Sequence, residues 1–129
     1  QFFDNLPSFK ALTTRVQSQA KGGFLKGLDG RKLTVRSPHA ALNTLFQGAG
    51  AIVMKQAMVT FNQAIESQVL RAKFVGNIHD EWQLECHEDD AHAVGKAGVE
   101  AIRQATHLLN LNCPLDGEYQ VGDNWSETH

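Results

Sequence analysis

The chain has 129 residues, 42% of them hydrophobic and 20% charged, with a formal net charge of −2 at pH 7. That is enough sequence for one domain with a core of ordinary size, and its balance argues against a wholly basic nucleic-acid binder. No apolar run approaches the roughly 18–20 residues of a membrane-spanning helix, and the two cysteines, Cys86 and Cys113, stand outside zinc-ligand spacing, so a reduced, cytoplasmic setting is expected.

Residues 2–7 read as a loop entering a helix, with Pro7 at an early helical position where its missing N–H costs nothing. Phe9, Leu12 and Val16 have the three-to-four spacing of an amphipathic helix, assigned within residues 1–22 and stopped by Gly22-Gly23. Residues 24–36 read as a basic β-hairpin. Two strand-like runs flank Asp29-Gly30, a pair favoured where both turn positions need positive φ. Lys26, Arg31, Lys32 and Arg36 would suit this hairpin to gripping phosphate, or simply keep a sheet edge solvated.

Ser37-Pro38 opens the longest expected helix, residues 37–70, with Ser37 as N-cap and Pro38 in the first helical position. Leu42, Phe46, Ala49, Val53 and Ala57 are expected to run down its core face. On an adjoining face His39, Asn43 and Gln47 recur every four residues and should project side by side. Neutral donors of this kind suit the minor groove, where every base pair offers acceptors at nearly equivalent positions, so pairing geometry is sensed without reading sequence. The other reading is an exposed helix face that happens to be polar.

Residues 74–86, FVGNIHDEWQLEC, hold the most informative pattern. Trp82, Leu84 and Cys86 alternate with Gln83 and Glu85, the mark of a half-buried strand. A second apolar run precedes them, and the triplet His79-Asp80-Glu81 is expected at the tip of the hairpin so formed. Two adjacent carboxylates suit a hard divalent cation such as Mg²⁺, although polar, acidic turns are also common. Residues 88–109 read as a helix with an acidic first turn at Glu88, Asp89 and Asp90, and residues 115–125 as a terminal strand. Residues 1–73 carry ten Lys and Arg against three acids, whereas residues 74–129 carry two against eleven. Such asymmetry fits a basic surface for a polyanion in the first half, or charges that pair across the fold.

The IHDE run resembles the motif of family A (polymerase I-like) DNA polymerases that carries a catalytic Asp, and GLDGRKLTVRSPHAALNTLFQGAGA resembles the phage-type branch of that family. The order of elements is similar along essentially the whole chain, to the final G-x-N-W. The resemblance implies an α+β fold: an antiparallel palm-type sheet with a catalytic β-hairpin, packed against two or three long helices. It implies that Asp80 and Glu81 are the catalytic and metal-binding carboxylates, Glu81 the weaker contributor. It assigns His79 to the neighbourhood of the primer 3′ end, Asn43 and Gln47 to the minor groove of the nascent duplex, and Arg36 to the DNA backbone. His39 stands where many bacterial relatives carry Arg and is assigned to the primer or minor groove.

The family chemistry is nucleotidyl transfer with two Mg²⁺ ions, one activating the primer 3′-hydroxyl and the other neutralising the triphosphate. This sequence contains neither a D-Y-S-x-I-E-like strand with the second palm Asp nor a P-x-x-x-K-x-x-x-x-x-x-Y-G fingers helix. Together with a start at Gln1, this leads to the expectation of a C-terminal palm segment of a phage replication polymerase, an incomplete palm with half of a two-metal site, inactive alone. Primer-template DNA, dNTP and the remaining N-terminal part of the polymerase are the expected partners, and self-association is expected from bared sheet edges. The alternative is a non-catalytic duplex-DNA-binding or structural remnant of a split polymerase.

Overall fold

A computed structural model describes residues 6–128, which fall into two compact units divided between Ile52 and Val53. The expected entry loop and the start of the first helix fall partly on residues 1–5, outside the described residues. Three α-helices and two antiparallel two-stranded sheets are present among the described residues, a mixed helix-and-antiparallel-sheet fold.

In the first unit, α1 (Pro7–Ala20) starts on its proline and buries Val16 and Ala20. They pack with Leu25 and Val35 of the following hairpin and with Ala41, while Leu33, Leu42 and Leu45 close the edge of this core. The hairpin pairs β1 (Phe24–Lys26) with β2 (Lys32–Thr34) in the register Phe24 to Thr34, Leu25 to Leu33 and Lys26 to Lys32. Its turn differs from the expected two-residue Asp29-Gly30 form. Gly27 accepts from Gly30 N and donates to Arg31 O, and only Gly30 has a positive φ, 85°. Leu28, Asp29 and Gly30 therefore make a three-residue loop with a left-handed glycine last. Asp29 stays out of the left-handed region and its carboxylate accepts from Arg31, at the backbone N and at Nε.

Ser37 caps the next helix, accepting from Ala40 N at 3.3 Å, but the first turn, Pro38–Ala40, is 3₁₀. The α-helix proper, α2, runs Ala41–Ser67, from the first unit into the second. Its core face is not wholly the expected one. Ala57, Phe61 and Ile65 are buried, but Phe46 is 50% exposed. Apolar residues lie on more than one side of this helix, so periodicity alone did not single out the buried stripe. After Ser67 the helix closes with Leu70 N donating to Ile65 O across Val69, which takes the left-handed position (φ 53°) usually given to glycine.

In the second unit, β3 (Ala72–Ile78) pairs with β4 (Glu81–Cys86). Ladder partners run Ala72 to Cys86, Lys73 to Glu85 and Phe74 to Leu84, then shift to Gly76 with Gln83, Asn77 with Trp82 and Ile78 with Glu81. The shift is a bulge with Val75 as the extra residue, 65% exposed. Phe74, Trp82, Leu84 and Cys86 line a core with Phe61 and Ile65 of α2 and Val94, Ala97 and Ala101 of α3 (Ala91–Leu108). Phe61 meets Phe74 edge-on at 5.3 Å and Trp82 at 5.6 Å between ring centres.

Among the described residues the expected strand within residues 115–125 finds no ladder partner; the segment is irregular and ends in a 3₁₀ turn, Trp125–Glu127. It packs along α3 instead. Asp116 accepts from Arg103 Nε at 2.9 Å, and Tyr119 sits so close over Gly95 that a Cβ there would overlap its ring. Side-chain anchors on a helix take the place of strand pairing, so alternation in this stretch had no sheet to serve.

Candidate functional site

In the first unit, Arg36 follows β2 and is exposed. His39 lies on the 3₁₀ turn, and Asn43 and Gln47 lie one turn apart on α2; all three are exposed. The 3₁₀ geometry at His39 departs from strict α-helical spacing, so the side-by-side pair is Asn43 with Gln47. Gly48 follows directly. A Cβ on it would stand 2.9 Å from Leu33 Cδ1, so the bare glycine lets the β1–β2 hairpin settle against this turn of the helix.

In the second unit, the expected three-residue tip is a two-residue one. Glu81 is already in the ladder opposite Ile78, leaving only His79 and Asp80 in the turn. His79 takes the first turn position with φ 56°, the kind of place a two-residue hairpin usually gives to glycine. Asp80 is exposed; Glu81 is half-buried, and its carboxylate accepts from Gln83 Nε2. Strand alternation explains that bond, since Glu81 and Gln83 share the face opposite Trp82 and Leu84. Gln83 is not among the residues the sequence points to, although a spacing of two on a strand marks it as the neighbour of Glu81.

The hairpin's far end is fixed by charge. Arg71 donates from its backbone N (2.9 Å) and Nε (2.8 Å) to Asp90, and from Nη2 to both Asp89 and Asp90. These bonds hold the Asp90 carboxyl at about 2, below its ordinary 3.8. The acidic turn Glu88–Asp90 thus clamps β3, and His87 caps it by accepting from Asp89 N. Among the described residues no group of three or more His, Cys, Asp or Glu is arranged to hold a metal ion. Asp80 and Glu81 offer oxygen donors only, a set that matches a hard cation as part of a larger shell. The structure brings His79 and Asp80 to one tip with Glu81 beside them at the start of β4, and Asn43 and Gln47 to one helix face.

The family model for DNA polymerase family A matches residues 1–127. The chain belongs to that family. Its family A relatives include the DNA-directed DNA polymerases of Escherichia phage Phieco32, 38% identical, and Escherichia phage T7, 36% identical, each over the whole of this chain. DNA polymerase I of Aquifex aeolicus (strain VF5) is 28% identical over 98% of the chain. The chain spans 22%, 21% and 23% of those three proteins, about a fifth of their length. Among solved structures, the POL domain of Pol1 from M. smegmatis, in complex with DNA primer-template and dNTP, matches with a TM-score of 0.72 and 26% identity. That match covers 81% of this chain and 21% of the solved one.

Proposed function

We propose that this chain supplies the C-terminal palm segment of a template-directed DNA polymerase of phage type. The observation that carries the reading is Asp80, solvent-exposed on a two-residue hairpin tip, in a chain that the family A model matches over residues 1–127. The solved relative bound to primer-template and dNTP supports the same substrates here.

In this reading Asp80 is a catalytic metal-binding carboxylate and Glu81 an accessory one, oriented by the amide of Gln83. Bound Mg²⁺ would supply Lewis-acid stabilisation of the charge that develops during nucleotidyl transfer. A two-ion site would need carboxylates beyond this pair, and the rest of its shell would come from the remainder of the polymerase. Holding Asp80 between two paired strands fixes its backbone before substrate arrives, which lowers the reorganisation needed at the reaction step. Asn43 and Gln47, with His39, donate to minor-groove acceptors that correctly paired bases hold in equivalent positions. Arg36 neutralises a backbone phosphate, and His79 stands near the primer 3′ end. The protein works in the cytoplasm of the bacterial host.

Primer extension tests the reading. In the complete polymerase carrying this segment, Asp80→Asn should lower incorporation at least ~100-fold, the scale of several kcal/mol of lost charge stabilisation, while primer-template affinity stays near wild type. The 129-residue chain alone should incorporate nothing. Undiminished extension by Asp80→Asn would overturn the role of the tip, and template-dependent incorporation by the pure chain would overturn the shared site.

A further inference from the structure

The described part of the first unit carries seven Lys and Arg and a single carboxylate, Asp29, which is already bonded to Arg31. Two of those cations stand in an arrangement the fold does not explain. Leu25 and Leu33 are ladder partners that turn inward, so Phe24, Lys26, Lys32 and Thr34 share the outward face of the β1–β2 hairpin, all exposed. Lys26 and Lys32 are themselves ladder partners. Like charges directly opposite each other destabilise a strand pair, and no carboxylate among the described residues pairs with either lysine.

The two arms diverge. The Lys26 stem reaches past Gly30, and the Lys32 ammonium lies 4.7 Å from the centre of the Phe24 ring. Two cations held apart on one face match a run of anions, and their geometry offers charge without the bidentate forks that read base edges. We infer that the outward face of the β1–β2 hairpin is a DNA-backbone contact in which Lys26 and Lys32 each neutralise a phosphate of the primer-template. The inference rests on the polymerase reading above and adds a contact to it. Leu33 against Gly48 ties this face to the helix turn that carries Gln47, so the same unit would hold both the phosphate grip and the groove donors.

The test is a salt series of primer-template affinity in the complete polymerase. Each phosphate neutralised contributes about 0.9 to the slope of log K against log salt on duplex DNA, so K26Q/K32Q should reduce the slope by about 1.8 and weaken binding uniformly across sequences. K26R/K32R should keep the wild-type slope. The double Gln variant loses both a repulsion and the Lys32 contact with the Phe24 ring and should melt near wild type; should it fail to fold, each single variant carries the test with a slope loss of about 0.9. A K26Q/K32Q slope equal to wild type, with extension and Asp80 dependence intact, overturns this contact alone and leaves a solvated edge. A wild-type polymerase that fails to bind primer-template overturns both this contact and the function it rests on.

Discussion

At the scale of single residues, the most strongly perturbed group is Asp90. Side-chain and backbone hydrogen bonds from Arg71 lower its pKa to about 2 from 3.8. A lowered carboxyl favours the folded state fully above the unfolded value, and that contribution fades as pH falls from 3.8 through about 2. Chemical denaturation of the chain across that range should therefore show stability dropping with acid, and Asp90→Asn should flatten the drop. Part of the slope remains, because Arg31 and Arg103 hold Asp29 and Asp116 low as well. An Asp90→Asn profile that matches wild type would remove the Arg71 pair as a source of acid sensitivity. The 19 positions separating Arg71 from Asp90 put this bond beyond any spacing rule, whereas the acidic turn that contains Asp90 was legible as a helix start. Gln83 and Glu81 sit between these cases: a two-residue spacing on a strand makes them neighbours once the strand is recognised.

Elements were legible where a local pattern met a local cause. The alternation of Trp82, Leu84 and Cys86 marks β4 because one face of that strand meets the core and the other does not. The hairpin tip was read one residue too long, since nothing in His79-Asp80-Glu81 announces that Glu81 joins the ladder while His79 absorbs a left-handed turn. On α2 the expected stripe included Phe46, yet the aromatic that organises the second unit is Phe61, 2% exposed beneath Phe74 and Trp82. Truncating Phe61→Ala should cost about 3–5 kcal/mol, by lost burial and the cavity left behind. Phe46→Ala, at a half-exposed position, should cost within about 0.5 kcal/mol. Urea midpoints distinguish the two; equal losses would mean that the buried aromatic cluster does not hold this unit together. The irregular run over α3 was read as a strand because its anchors, Asp116 to Arg103 and Tyr119 over Gly95, depend on a helix more than ten residues away.

Across the whole molecule, both sheets stop at two strands among the described residues, so each strand keeps one edge without a sheet partner. Val75 and Val69 add large exposed apolar side chains on or beside β3. Unpaired edges with apolar neighbours favour strand addition by a second chain. Sedimentation of the isolated chain at about ten micromolar or above should show dimers or larger species, and a single monomeric boundary would count against exposed edges as docking strands. The family was legible in the sequence because GLDGR, SPHAALN and IHDE occur in order along one chain, a constraint much tighter than any single motif. A metal shell was not legible, since among the described residues no group of three or more His, Cys, Asp or Glu is arranged to hold an ion.

The extra residue at Val75 carries a consequence for the line of the ribbon. Before it, Ala72 and Phe74 are the half-buried positions of β3; after it, Asn77 pairs with Trp82 yet is exposed, and Ile78 pairs with Glu81. Deleting Val75 would leave Gly76 opposite Gln83, Asn77 opposite Trp82 and Ile78 opposite Glu81, so each side chain would keep its face; the ribbon would lose the local bend and added twist that an extra residue gives. The bend at Val75 thus sets the angle at which the strand pair carries Asp80, and a ribbon of the same register without the extra residue would hold its tip along a straighter line.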